Sequence, residues 1–182
     1  MKISTIALLD ELKSRTGQHL QYAENLLLKT EEELNFRMST DSWSALECLE
    51  HLNRYGDFYI PEISRRISSS TTIPASHFKP GLLGNYFAKS MLPKEKLNKM
   101  KTLKAMNPIH SQLNKEVVTE FIKQQRQLLD LLEKAKHINL EKTKTAISLS
   151  KLITLKLGDT FRFVIYHNAR HIAQMERVLK NV

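Results

Sequence analysis

The amino-acid sequence predicts an all-α protein, a four-helix bundle with a long crossover between helices two and three. Apolar residues recur at helical spacing in four long segments. Only five glycines and five prolines occur among 182 residues, so residues that favour helices dominate. The connection between the second and third segments is long. A long crossover lets consecutive helices run in the same direction, which predicts that helices two and three are parallel.

The first predicted helix covers residues 3–34 and the second covers residues 41–67. In the second helix, Ser44 and Glu47 have the spacing of a capping box, in which each side chain bonds the other's backbone amide. Pro61 lies inside this segment and is expected to kink the helix or divide it in two. The apolar positions of the first helix are Ile6, Leu9, Leu12, Leu20, Ala23, Leu27 and Leu34.

The third predicted helix covers residues 107–135 and the fourth covers residues 158–179. The fourth starts near Gly158-Asp159-Thr160, in which Asp159 is a good candidate for the N-cap because its carboxylate can accept from the first free amides. These two helices complete the predicted bundle.

Two connections contain apolar residues of their own. Residues 68–106 are too many for a structureless loop in a compact domain, so part is expected to fold as a short helix, best placed over residues 82–88. Residues 137–157 are expected to form a mostly extended or short-helical piece that packs on the bundle.

Composition predicts one domain over residues 1–182 that is large enough to bury a core. The N-terminus has a short apolar stretch that soon reaches Asp10, which predicts a helix start rather than a signal peptide. Cys48 is the only cysteine, so an intramolecular disulfide is excluded and a reducing cytoplasm is expected. No apolar run approaches the ~20 residues that span a bilayer, so no membrane partner is expected.

The formal net charge of +9 raises the possibility of nucleic-acid binding. Five of the lysines are clustered between Lys94 and Lys104, where Glu95 is the one acidic residue. Neither arginines nor aromatic residues accompany them, which favours a solvated lysine-rich face over a nucleic-acid surface.

Three histidines form the candidate functional site. His167 and His171 are four residues apart in a helical segment, and they lie on its apolar stripe. His51 has a matching place on the second predicted helix. Two helices can therefore bring three imidazoles to one point, which is the minimal set for a metal with an open coordination position.

The alternative for these histidines is burial with hydrogen bonds alone. A metalloprotease helix is not indicated, because Asn168 stands where that motif has the glutamate base. Cys48 lies on the face of His51 and is predicted to be a small buried apolar group rather than a ligand. The other histidines are expected at the surface; they are His19, His77, His110 and His137.

Two polar residues are candidates for a catalytic or orienting part. Glu47 lies one turn before His51 and is either a proton carrier near the metal or a helix carboxylate or cap. Gln174 lies three residues after His171 and either orients a ligand or packs at the core edge. Trp43, the single tryptophan, is predicted to plug one end of the core.

These residues resemble the DinB/YfiT-like superfamily of metal-dependent four-helix bundles. The helix that opens at Trp43 and ends in His51-Leu52 is similar to that family's tryptophan-led helix. The last helix, with His167, Arg170-His171 and Gln174, is similar to its terminal H-x-x-R-H-x-x-Q helix. The family's histidine triad falls on His51, His167 and His171.

The resemblance implies a divalent metal, usually nickel or zinc, and often a homodimer. It also implies that some members are transferases that use a low-molecular-weight thiol. The leading hypothesis is therefore a metal-dependent, thiol-dependent S-transferase that acts on a small-molecule substrate. The alternatives are a metal-assisted hydrolase, a non-catalytic metal-binding stress-response bundle, and a nucleic-acid binder that uses the lysines of residues 94–104.

Overall fold

The structure, a computed structural model, describes residues 2–93, 102–148 and 150–182. Its six α-helices and four short β-strands within these ranges are β1 (Ile3–Ser4), α1 (Thr5–Leu26), α2 (Glu31–Asn35), α3 (Ala45–Ser68), β2 (His77–Phe78), α4 (Leu82–Met91), α5 (Glu116–Lys134), β3 (Lys144–Ile147), β4 (Ser150–Lys156) and α6 (Leu157–Leu179). Two 3₁₀ turns lie at Lys104–Met106 and Ala135–His137. None of these helices combines the length and apolarity that crossing a bilayer requires.

The first predicted helix is two helices, so the prediction of one helix over residues 3–34 is wrong. Helix α1 ends at Leu26, and α2 begins after Thr30. Thr30 and Glu33 form a capping box, with the Thr30 hydroxyl accepting from the Glu33 amide and the Glu33 carboxylate accepting from the Thr30 amide. This local pairing starts a new helix in a segment whose apolar spacing also fitted a continuous one.

Helix α3 has the predicted capping box and continues through its proline. The Ser44 hydroxyl accepts from the Glu47 amide, and the Glu47 carboxylate accepts from the Ser44 amide. The helix is unbroken to Ser68, so the expected division at Pro61 does not occur. Pro61 is exposed, whereas Ile60 and Ile63 on either side are buried. Packing of that buried face compensates for the hydrogen bond that proline removes.

The four longest helices contact one another along their lengths. The directions of α3 and α5 follow from two contacts: Asn53 Nδ2 donates to the Val117 carbonyl at 2.9 Å, and further along both helices Gln124 Nε2 donates to Asp57 Oδ1 at 3.0 Å. These two helices therefore run in the same direction. Helices α3 and α6 run in opposite directions, because the ring of His51 lies 4.7 Å from that of His171 while Tyr59 lies 5.6 Å from Phe163.

The molecule is predominantly helical, as predicted, but it also contains two small antiparallel sheets. β1 pairs with β2 through Ile3–Phe78 and Ser4–His77. β3 and β4 form a hairpin in which Lys144 is opposite Lys156. The second connection, residues 137–157, is thus largely extended, which is one of the two forms expected for it.

The first long connection contains the predicted short helix, α4, which packs on α6. Asp159 contributes to this contact: its Oδ2 accepts from the Gly81 amide at 2.7 Å, while within α6 its Oδ1 accepts from Arg162 at 3.0 Å. The prediction that Asp159 is the N-cap of the last helix is wrong. The helix starts after Lys156, so Asp159 falls within its first turn and points toward α4. Residues 94–101 of the predicted lysine-rich surface lie outside the described residues.

Helix α5 begins at Glu116, later than the predicted start at residue 107. Within the intervening segment, His110 has a positive φ of 63°, a backbone conformation that no α-helix contains. This segment instead crosses the N-terminal turns of α3, where the His110 amide donates to Glu47 Oε1 at 2.5 Å.

Candidate metal centre

Three histidines from two helices meet inside the protein. His51 lies on α3, and His167 and His171 lie one turn apart on α6. His167 Nε2 is 3.2 Å from His51 Nε2 and 3.1 Å from His171 Nε2. All three side chains are buried, with exposed fractions of 3%, 6% and 7%. The structure therefore brings together the three residues that the sequence singled out.

Hydrogen bonds at the outer nitrogens set the tautomers of two of these rings. His51 Nδ1 donates to the Met106 carbonyl at 2.6 Å, and His171 Nδ1 donates to Gln174 Oε1 at 3.0 Å. A neutral imidazole that donates through Nδ1 carries a lone pair on Nε2. The lone pairs of His51 and His171 are thus directed toward His167.

The interior keeps all three imidazoles neutral at neutral pH. Burial lowers the pKa of His51 to about 4, and it lowers the pKa of His171 to about 3 with a further contribution from His51. Burial and the two neighbouring histidines hold the pKa of His167 well below its ordinary value. Metal ions bind the neutral imidazole, so protons do not compete strongly for these nitrogens at neutral pH.

Aromatic rings surround the histidines. Trp43 lies nearly parallel to His171 at 5.7 Å between ring centroids and contacts His51 at 4.8 Å. Phe163 stacks on His167 at 5.8 Å, and Tyr55 meets the same ring edge-on at 4.8 Å. Trp43 was predicted to plug one end of the core; it is half-buried and packs directly on two of the three histidines. The rings restrict the rotation of the imidazoles and keep water from much of their surface.

The donor set fits a divalent cation. The ligand nitrogens of a tetrahedral zinc ion with bonds of about 2.0–2.1 Å lie about 3.3–3.4 Å apart. Two of the three separations, 3.1 and 3.2 Å, are close to this spacing, and all three ligand atoms lie within 4.8 Å of one another. Among the described residues, one group of three side chains is placed to ligate a metal ion: His51, His167 and His171. Three nitrogen ligands leave at least one coordination position for another group.

Glu47 is completely buried and bonded on both carboxylate oxygens. Oε1 accepts from Arg37 Nη2 at 2.7 Å and from the His110 amide at 2.5 Å. Oε2 accepts from Arg37 Nε at 2.9 Å and from the Ser44 amide at 2.8 Å. These contacts join the N-terminus of α3 to two loops. Gln174, the other candidate, bonds directly to His171.

The remaining histidines and the cysteine lie outside this cluster. His77, His110 and His137 are exposed, as predicted. His19 is 6% exposed, so its predicted surface position is wrong. The buried face of α1 includes Leu12, Thr16, His19 and Ala23; it shares Leu12 and Ala23 with the apolar positions read from the sequence but contains His19 rather than its neighbour Leu20. Cys48 is buried in the apolar core, as predicted, and burial raises the pKa of its thiol.

Two contributors to the site escaped the sequence reasoning. One is the Met106 carbonyl, a backbone group that no side-chain motif reveals. The other is Arg37, the partner of Glu47, which lies ten residues earlier in a loop. Only the capping-box spacing of Ser44 and Glu47 gave a signal that this end of α3 was specially organised.

The fold and site together define a predominantly helical protein with a buried three-histidine cluster suited to a divalent cation. A family model of the DinB superfamily matches residues 10–175. The chain therefore belongs to the DinB superfamily, which confirms the resemblance seen in the sequence. Members of this superfamily typically bind metal ions. Comparisons with curated proteins and with solved structures found no match.

Proposed function

We propose that this chain is a metal-dependent enzyme in which His51, His167 and His171 hold a divalent cation, with nickel or zinc preferred. The observation that carries the proposal is the convergence of three neutral imidazoles, with Nε2 separations of 3.1 and 3.2 Å. Lone pairs that face one another repel unless a cation or a shared proton lies between them. A bound cation provides that stabilisation for all three rings at once.

The proposed reaction class is thiol-dependent S-transfer to a small-molecule acceptor. A divalent cation in this position favours the ionised form of a thiol, which is the nucleophilic form. The protein's own part is to supply neutral ligands and to orient them. Gln174 holds His171 through Nδ1, and Glu47 holds the helix end that carries His51.

Neither polar residue needs to transfer a proton in this scheme. Its four hydrogen bonds all come from donors that hold the Glu47 carboxylate in place, which favours an anchoring role over proton transfer. Both residues are thus proposed to position the ligands, and their replacement should affect the chemistry less than loss of a histidine.

Several broader features belong to the same proposal. We infer a single domain in which α1, α3, α5 and α6 form a four-helix bundle and the connection between α3 and α5 is its crossover. A homodimer is proposed from the family resemblance. A cytoplasmic location is proposed because Cys48 has no second cysteine with which to form an intramolecular disulfide.

The first experiment measures the metal content of protein purified without an affinity tag. We expect about one equivalent of a divalent metal, lost in His171→Ala and retained in His137→Ala. His137 is the matched control because it is an exposed histidine outside the cluster. Wild-type protein with no metal, and with no affinity for added zinc or nickel, would refute the metal centre.

The second experiment tests the thiol. Cobalt-substituted protein is titrated in turn with bacillithiol, glutathione and coenzyme A, and the absorption spectrum is recorded. A sulfur-to-cobalt charge-transfer band is expected with the correct thiol and should be absent in His171→Ala. If no thiol alters the spectrum while small oxygen ligands do, thiol transfer is wrong. Metal-assisted hydrolysis or simple metal binding would then replace it.

A further inference from the structure

His51 and His171 donate their Nδ1 protons to acceptors in different parts of the chain. The acceptor for His171 is Gln174, three residues away on the same helix, so a single helix determines that hydrogen bond. The acceptor for His51 is the carbonyl of Met106, which is 55 residues away in the chain. The tautomer of His51 therefore depends on how the turn containing Met106 is held against α3.

Arg54 is the side chain that holds this turn on both sides of Met106. Its Nη1 donates to the Ala105 carbonyl at 3.2 Å and to the Asn107 carbonyl at 3.4 Å. Its Nε donates to Glu50 Oε1 at 2.7 Å, which directs the guanidinium toward the turn. Glu50 and Arg54 are four residues apart on α3, on either side of His51 in the chain.

The turn also has two internal bonds and one more tether. The Met106 amide donates to the Leu103 carbonyl at 2.8 Å, and the Asn107 amide donates to the Lys104 carbonyl at 3.2 Å. Trp43 Nε1 donates to Asn107 Oδ1 at 3.2 Å. That tether reaches only one end of the turn, whereas Arg54 bonds the residues before and after Met106.

We propose that Arg54 is a positioning residue for the metal centre, because it holds the turn at residues 103–107 so that the Met106 carbonyl accepts the Nδ1 proton of His51. This keeps the lone pair of His51 on Nε2, where it faces His167. The inference rests on the proposed metal site for its consequence, but the tautomer of His51 is a property of the metal-free protein as well. Partners that bond a metal ligand directly, as the Met106 carbonyl bonds His51, typically change metal affinity by about 10–100-fold, and Arg54 acts through that partner.

The test compares Arg54→Ala and Arg54→Lys with a matched control, Arg126→Ala. Arg126 forms an exposed ion pair with Glu24 on other helices, so its removal deletes an arginine without touching the turn. Histidine ¹⁵N–¹H correlation spectra of metal-free protein report which nitrogen of His51 carries the proton. Competition titrations with zinc report metal affinity, and circular dichroism reports folding.

We expect the Arg54→Ala spectra to show loss of the single Nδ1–H form of His51, with His171 unchanged. Zinc affinity should fall by up to about tenfold, the lower end of the range for direct partners, while Arg126→Ala behaves as wild type. Arg54→Lys retains the charge but cannot bond Glu50 and the turn through one rigid group, so an intermediate loss is expected. If Arg54→Ala does not fold, Arg54→Lys and Glu50→Gln carry the same test.

Two outcomes would overturn the inference. One is wild-type zinc affinity in Arg54→Ala with His51 still protonated on Nδ1. The other is an equal change at His51 and His171, which would indicate general loosening of the protein. If wild-type protein binds no metal, the proposed function fails, and the spectra of the metal-free variants still decide the role of Arg54.

Discussion

Replacement of Glu47 by glutamine separates the two roles considered for this residue. Glu47 is fully buried and accepts four hydrogen bonds, two of them from Arg37. A carboxamide has one acceptor oxygen, and its NH₂ group faces donors at the other position. Glu47→Gln therefore loses two of the four bonds and the charge that Arg37 neutralises.

The expected cost follows from these contacts. A hydrogen bond to a charged group contributes about 1.5–3 kcal/mol, and a buried charge that loses its partner adds to the loss. The Arg37 side chain is 28% exposed, so water recovers part of its solvation and the lower end applies. We expect the free energy of unfolding to fall by about 3 kcal/mol. For a chain of this size, that corresponds to a decrease in Tm of roughly 6–12 °C.

The effect should also depend on pH. Burial alone would raise the pKa of Glu47, but hydrogen bonds from Arg37 and the Ser44 amide outweigh it and lower the pKa below its ordinary value of 4.5. A lowered folded pKa contributes stability that is present above the unfolded pKa and is lost as the pH falls through the folded one. The difference in the free energy of unfolding between wild type and Glu47→Gln should thus be largest at pH 7 and should decrease below about pH 4.5.

The assay is urea unfolding of metal-free protein at pH 7, followed by zinc titration of the folded variant. Asp130→Asn is the control, since it removes an exposed ion pair with Lys134 and should cost less than about 1 kcal/mol. Glu47→Gln should bind zinc with near-normal affinity. Wild-type stability in Glu47→Gln would refute the anchoring role. Normal stability together with loss of activity would instead make Glu47 a proton carrier.

Three further predictions follow from the same structure. Alanine at His167 or His171 should release the metal, while circular dichroism should show largely intact helices because both apolar core clusters remain. Gln174→Ala should weaken metal binding by only about tenfold. Burial and then Arg15 lower the pKa of His19 from 6.5 to about 4, so His19 should account for up to about 3 kcal/mol of the stability that wild type loses between pH 6.5 and 4, and unfolding curves of His19→Leu should show a loss smaller by that amount. Light scattering should show a homodimer, and a monomer across a wide concentration range would remove that proposal.

The histidine cluster could be predicted because its information is local. Four residues between His167 and His171 place both rings on one helix face, whatever the rest of the chain does. Their position on an apolar stripe indicated burial, and His51 lies on the corresponding face of another helix. The start of α3 was readable for the same reason, because Ser44 and Glu47 have the spacing of a capping box, although the second capping box, Thr30 and Glu33, was missed.

The predictions that were wrong concern segments whose local sequence is compatible with more than one structure. The apolar spacing of residues 3–34 fitted one long helix as well as two, and it selected Leu20 rather than the neighbouring His19 for the buried face of α1. Asp159 has the chemistry of an N-cap, yet α4 packs against α6 and offers the Gly81 amide as a different partner. For Asp159, a contact with a distant segment selected among states that local energies leave close together. The start of α2 was set instead by a local capping box that the continuous apolar pattern concealed.

The sequence by itself determined the helical class, the family and the three histidines, because periodicity and i,i+4 spacing act over one or two turns of helix. Only the tertiary structure decided how those histidines are held. The Met106 carbonyl bonds His51, and Arg37 bonds Glu47. Both contacts depend on how whole helices and loops pack against one another. Such contacts use backbone groups and long side chains from separate segments. Their partners are therefore chosen by packing of the complete chain, and no spacing along the sequence encodes them.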